Sequence, residues 1–433
     1  MILKSAALTG LVWLGAFAAE SPKVTTTFYK DVMPVLQQRC QECHRAGEIA
    51  PMPFLTYEQV RPWAKSIKSA VLTRKMPPWF ADPAFGHFSN DRSLTQPEMD
   101  TLVAWVDGGA REGNRKDAPE PRRFVDGWNI PKPDLALAMP NAIEVPAKGE
   151  LSYQYVILPT GFKEDKWIQA VEIRPGTHAV VHHIVAFVRE PQQKWLRNEA
   201  EPGIAFVPPK KDANGNRRLD LGGAGSEMLA FYAPGQVPEV WRTGLGKRVK
   251  AGSDIVLQIH YTADGKVEHD QSKVGMVFAK EPPEERSLGL AAVNVMLRIP
   301  AGEPNYETRG SVVLPNGGTI LSLFPHMHLR GKAFEFKAKY PTGESETLLK
   351  VNNYDFNWQL SYKLAKPITV PPGTRIECTG WFDNSPNNAR NPDPTSEVRF
   401  GEQSWEEMLV GYFDVQVPRD TTLMQVLLKQ KAD

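Results

Sequence analysis

Cys40-Gln41-Glu42-Cys43-His44 is a C-x-x-C-H run, the spacing at which two thiols bond the vinyl groups of one haem and the next imidazole ligates its iron. A dithiol redox pair is the competing chemistry. Such a pair follows a strand in a βαβ unit, whereas Val32 to Gln38 reads as a short helix leading directly into Cys40. The sixth iron position needs a second soft donor. Met76 in Lys75-Met76-Pro77-Pro78-Trp79 is the first choice, because consecutive prolines stiffen the loop presenting its sulfur. Met52 and His87 compete for that role, and a gap-filling core position is the plain alternative for either methionine.

A second set of donors lies much further along: His182-His183, His260, His326-Met327-His328 and Met408. These are borderline and soft metal ligands. His326 and His328 are two residues apart, so on an extended strand both rings share one face with Ser322 and Phe324 and can bite one ion. His182 and His183 are adjacent and point to opposite faces of a regular strand, so joint ligation requires a bulge or strong twist. His260 ends the apolar run Ile255 to Ile259 and can supply a third nitrogen, although a lone strand histidine is ordinarily hydrogen-bonded or on the surface. Each short histidine motif is weak alone. Of nine histidines, His87, His178 and His269 are assigned no metal.

The elements that must position these groups change character along the chain. Between about Thr25 and Gly113 the periodicity is helical. Thr56-Tyr57-Glu58-Gln59 reads as a capping box ahead of Val60, Trp63, Ile67 and Val71, and Thr95-Gln96-Pro97-Glu98 as another ahead of Met99, Leu102, Trp105 and Val106, with Gly108-Gly109 as the stop. This predicts a small all-α domain. Asn114 to about Asp134 is rich in proline and charge, as a linker is. Beyond it, alternation at Tyr153, Tyr155 and Ile157, and at Phe334, Phe336, Ala338 and Tyr340, predicts many short strands in β-sandwich or jelly-roll form. The expected organisation is a signal peptide at 1–19, a haem domain at 20–113, a linker at 114–135 and two all-β jelly-roll domains at 136–284 and 285–433, divided near Glu281-Pro282-Pro283-Glu284-Glu285.

At 433 residues the chain is too long for one core. Lys and Arg total 51 against 50 for Asp and Glu, so no basic surface points to nucleic acid. Met1-Ile2-Leu3-Lys4, the apolar run Ala6 to Ala16 and the A-x-A pattern Ala16-Phe17-Ala18 read as a secretory signal cleaved near Ala18 or Ala19. No segment reaches the ~20 apolar residues of a membrane span, so none is expected after cleavage. Export fits haem attachment and copper loading, and places the protein in a bacterial periplasm or outside the cell. With two of its three cysteines given to haem, Cys378 is left single, expected to be a buried, inert thiol.

Two resemblances follow from these residues. The C-x-x-C-H near the start, the Met-Pro loop and the closing helix resemble class I cytochromes c. From about Ser152 to Val417 the chain resembles the type II copper, ascorbate-dependent monooxygenases, the family of peptidylglycine α-hydroxylating and dopamine β-monooxygenases. That likeness is carried, in order, by Ala179-Val180-Val181-His182-His183-Ile184, Leu257-Gln258-Ile259-His260-Tyr261, Pro325-His326-Met327-His328-Leu329, Asp383-Asn384-Ser385, and Glu406-Glu407-Met408 with Tyr412 after it. It implies an electron-transfer copper at His182, His183 and His260, and an oxygen-binding copper at His326, His328 and Met408. Departures matter too. The copper region can form no disulfide, Phe324 stands where peptide-hydroxylating members place a carboxylate-binding Arg, and Val410 replaces an Asn, while Tyr412 matches the substrate-side Tyr.

The function these features imply is an exported monooxygenase that puts one atom of O2 into a C–H bond of a small, apolar or aromatic organic substrate and reduces the other to water. The two electrons would come from an external donor through one covalent haem c to two coppers, the tether raising the effective concentration of donor. A non-catalytic haem and copper electron-transfer or copper-binding protein is the alternative. A β-sandwich binding scaffold with structural histidines is a third possibility.

Overall fold

The computed structural model describes residues 25–124, 127–149, 151–209, 211 and 226–428; the expected signal peptide at 1–19 lies outside the described residues. Among the described residues the regular secondary structure is mostly β-strand, with few and short helices. Among the described residues no helix is long and apolar enough to cross a membrane.

Between residues 25 and 110 the helices are Met33–Arg39, entered through a π-turn at Phe28–Val32, then Tyr57–Val60, Ala64–Leu72 and Gln96–Asp107. Both capping boxes form, Thr56 with Gln59 and Thr95 with Glu98. Each satisfies backbone N–H groups that a helix start leaves unpaired. A 3-10 turn at Arg61–Trp63 interrupts the second helical stretch, where Pro62 can offer no N–H. Phe28, Leu36, Val60, Leu102 and Trp105 form a small buried core. An independent all-α unit over 20–113 is not evident, because the segment after Met76 leaves the helices. Trp79, Phe80 and Phe88 pack on a β core, and Ala81 and Phe88 bridge to Val351 and Leu364. These aromatics lack helical spacing, and the burial they need is offered by the sheet.

Among the described residues nine strands form one continuous sheet. In spatial order it runs Leu135–Ala138, Lys273–Phe278, Lys166–Arg174, Leu245–Val249, Glu285–Val293, Val410–Pro418, Gly318–His326 and Tyr362–Val370, with Glu239–Val240 also pairing to Lys166–Arg174. Two four-stranded sheets cover parts of it. One contains Gln154–Pro159, Asp254–Tyr261, Val181–Arg189 and Glu227–Tyr232; the other contains Tyr306–Leu314, Thr374–Phe382, Gly331–Lys339 and Ser345–Val351. The result is two β-sandwiches that share a sheet.

The first core holds Val156, Ile168, Val171, Ile184, Leu257 and Met276; the second holds Leu290, Leu323, Phe334, Phe336, Cys378 and Phe413. They lie on either side of a joint where Leu245 and Gly246 pair in parallel with Glu285 and Arg286. Buried ion pairs reinforce it. Lys247 Nζ lies 3.0 Å from Asp414 Oδ1, and Arg286 Nη2 lies 2.6 Å from Glu227 Oε2.

Candidate metal centre

Strand Val181–Arg189 is buried along its whole length. Such burial on both faces requires a second apolar cover beyond the sandwich core, and Tyr153, Tyr155, Ile157, Val185, Phe187 and Leu196 supply it. His183 is on that outer side with Val185 and Phe187, directly opposite His260 in the register. Between Val181 and His183 the register shifts, so His182 is the extra residue of a bulge. The bulge turns its ring toward the other two: His182 Nδ1 lies 3.0 Å from His183 Nδ1 and 3.3 Å from His260 Nδ1. Burial, and then the neighbouring imidazoles, hold His183 and His260 well below the usual histidine range. His182 is lowered to about 4, chiefly by burial. All three rings are therefore neutral at pH 7, as metal ligation requires. Two facing nitrogens can share at most one hydrogen, and an ion among the three would satisfy lone pairs that the protein alone leaves opposed. Their ligand atoms fall within 4.8 Å of one another.

The second set sits on the other sandwich. Strand Gly318–His326 puts Leu323 into the core, so Ser322, Phe324 and His326 project from the opposite face. That face meets the outer face of the first sandwich: Phe231 and Phe324 rings are 4.2 Å apart, and His183 and His326 rings 6.0 Å apart. His326 and His328 centroids are separated by 5.1 Å. His326 Nδ1 donates to Gln359 Oε1 at 2.6 Å, which fixes the tautomer and leaves Nε2 with a free lone pair. His328 Nδ1 donates to the Glu406 carbonyl at 3.3 Å, and its Nε2 is buried without a hydrogen-bond partner. An orphaned buried nitrogen is costly unless something binds it. Burial keeps both rings neutral, His326 near 4 and His328 well below its usual range.

Met408 is buried in the second core, and its backbone is tied to His328 through one carboxylate. Glu407 Oε2 accepts from the N–H of His328 at 2.9 Å and of Met408 at 3.2 Å, while Oε1 accepts from the Arg330 N–H at 2.6 Å. Burial raises the Glu407 carboxyl to about 7 against the pull of these N–H groups. Tyr412 stacks on Phe324 at 5.7 Å and stands 6.2 Å from His326; burial pushes its hydroxyl to about 12. The free space beside Phe324, Phe231 and Tyr412 measures about 20 Å3.

Cys40, Cys43, His44, Met52 and Met76 all line one largely apolar cavity of about 530 Å3, a volume in the range of small-molecule and cofactor sites. His44 stacks on Phe54 at 4.1 Å, and its Nδ1 donates to the Met52 carbonyl at 3.1 Å, which leaves Nε2 for a ligand. Burial lowers His44 and raises Cys40 to about 12, so neither carries charge at neutral pH. Size, apolar lining and a fixed imidazole fit a haem held by these residues. His87 lies outside this cavity and lines an adjoining one that Met76 also reaches.

His178 bonds to the Tyr232 hydroxyl at 3.0 Å, and His269 is exposed beside Glu144. Gln359 and Phe356, which stacks on His182 at 4.5 Å, escape a reading based on ligand types, and Glu407 enters the sequence reading only as the neighbour of Met408.

No protein-family model matches the chain, and no curated protein matches it significantly. Among solved structures, the VP2 subviral particle of infectious bursal disease virus is 7% identical, covering 70% of this chain and 76% of its own at a TM-score of 0.20. VP54 of PBCV-1, fitted into a reconstruction of the virophage Sputnik, is 7% identical, covering 68% and 96% at 0.25. The tandem CBM22 domains of Xyn10C from Paenibacillus barcinonensis are 11% identical, covering 65% and 93% at 0.15.

Proposed function

We propose that this protein is an exported copper monooxygenase, periplasmic or secreted, that hydroxylates a C–H bond of a small organic substrate with O2. Electrons would enter from an external donor through a c-type haem in a cytochrome c-like N-terminal region. The observation that carries the reading is the burial, side by side, of two neutral histidine sets whose free nitrogens are aimed by Gln359, by the Glu406 carbonyl and by the His182 bulge. His182, His183 and His260 would hold one copper and His326, His328 and Met408 the other, on two jelly rolls. Copper with such donors supplies one-electron redox chemistry and O2 activation.

The chain's own part is positional. Gln359 and Glu407 fix the second histidine pair, as outer hydrogen bonds do around metal sites. Phe324, Phe231 and Phe356 exclude water. Tyr412, whose ring lies 6.2 Å from that of His326, would help to orient a substrate.

The alternative is a haem and copper protein that only transfers electrons or binds metal. Metal analysis with optical and EPR spectra on haem-matured, copper-supplied protein is the test, followed by O2 uptake. One haem, two type II coppers and substrate-dependent O2 uptake support hydroxylation. Two coppers without uptake favour the alternative, and absence of stoichiometric copper ends both readings.

A further inference from the structure

We propose that the loop carrying Phe356, Trp358 and Gln359 is the electron bridge between the two redox sites, entered at Trp358 and left through Phe356 at His182. This rests on the reading above, in which haem and copper occupy their respective sites. The cavity around the C-x-x-C-H motif is lined by residues between Leu36 and Arg122, joined by Val237 and Trp358 from the β region. Trp358 thus forms a wall of that cavity. Two residues back, Phe356 is stacked on His182 at 4.5 Å and 23°, with His260 and His328 rings at 5.9 and 6.3 Å. One residue forward, Gln359 accepts from His326. A single short loop touches the cavity and both histidine sets.

The loop is also fixed. The Tyr354 hydroxyl accepts from the Met327 N–H at 3.0 Å and donates to the Met327 carbonyl at 2.7 Å, between the two histidines of the second set. Asp355 accepts from Arg390 at 2.6 Å and from the Asn357 N–H at 3.0 Å, and the Ser361 N–H donates to Gln236 at 3.2 Å. Electron tunnelling decays steeply across gaps and less steeply through bonded and π-stacked atoms. Trp358 and Phe356 are joined by backbone, and the remaining step to His182 is a ring stack. The step is a one-electron exchange, Fe(II) to Fe(III) at one end and Cu(II) to Cu(I) at the other, with no atom or proton moved.

The test uses full-length protein carrying haem and Cu(II), without O2 or substrate. The haem is reduced by a brief, substoichiometric pulse of dithionite, and its reoxidation is followed by absorbance while the Cu(II) EPR signal is read in parallel. Trp358→Leu and Phe356→Leu are each expected to slow reoxidation about tenfold or more, and Trp358→Phe to keep most of the rate. Copper content and EPR parameters should stay at wild-type values in Trp358→Leu, and haem content and midpoint potential in Phe356→Leu, so that the site remote from each substitution reports intact folding while the rate falls. Wild-type rates in the two leucine variants would overturn the bridge and point to Phe231 and Tyr232, which line a separate cavity with Cys43. Failure of the functional reading looks different: wild-type haem would reoxidise no faster with copper than without it, which removes the bridge as well.

Discussion

The rings of His183 and His326 lie 6.0 Å apart at 82° across the cleft between the two sandwiches. Residues from separate cores thereby meet in one buried cluster, and each set's donors shape the other's surroundings. Gln359 is the hydrogen-bond partner that orients His326. Gln359→Leu should weaken copper binding at the His326–His328 set about 10–100-fold, as loss of an outer-shell partner does elsewhere. Competition against a calibrated chelator measures it, and unchanged affinity would remove Gln359 from the site.

The joint between the sandwiches predicts a stability effect. Lys247 is 2% exposed, donates to the Met228 carbonyl at 2.6 Å and pairs with Asp414, whose other oxygen accepts from Ser322 at 2.9 Å. Lys247→Met strands the carboxylate and should cost about 3–5 kcal/mol in urea unfolding. Adding Asp414→Leu should recover part of that loss. A single variant as stable as wild type would show that Asp414 has other support.

His178 sets a pH dependence outside the histidine cluster. Burial first, then the Arg174 guanidinium, hold its pKa near 4 against an ordinary 6.5. The unfolded chain therefore binds this proton before the folded one does. Its contribution is full above about pH 6.5 and is lost as pH falls through 4. His178→Asn should flatten the fall in urea midpoint across that window, whereas an identical slope would assign it to other groups.

Much of this was legible where the signal is local. The capping boxes at Thr56 and Thr95 form as their sequences require, and the adjacent pair His182-His183 demanded the bulge that strand Val181–Arg189 contains. Alternation at Tyr153 and Phe334 gave sheet. What escaped depends on contacts far apart in sequence. Nothing local tells that Phe231 meets Phe324, that Trp79 and Phe88 leave the helices for a β core, or that Trp358 walls the C-x-x-C-H cavity. Strands that serve two cores also pair across the turn-rich Glu281-Pro282-Pro283, because the strand Glu285–Val293 begins at once beyond it.

Gly411 reports on packing beneath the cluster. A Cβ there would lie 2.6 Å from Phe336 Cε1 and 3.0 Å from Cys378 Cβ, in the core next to Tyr412. Gly411→Ala should destabilise the protein by about 1–3 kcal/mol through overpacking, read as a lower urea midpoint. A neutral result would mean that Phe336 can retreat.

Cys378 is fully buried, and burial raises its thiol to about 12. In haem-loaded protein, where Cys40 and Cys43 are consumed, a thiol reagent should find nothing until denaturant is added and Cys378 is released. Labelling of the folded protein would place this core open to solvent.

The shared nine-stranded sheet turns the architecture into a mechanical element. Its two halves are coupled through a ladder only two residues long, Leu245 and Gly246 against Glu285 and Arg286. A paired register keeps the strands from sliding, and the ion pairs Lys247–Asp414 and Arg286–Glu227 bolt the same seam, with Glu227 on the strand that carries Phe231. The seam is thus a clamp that presses Phe231 onto Phe324.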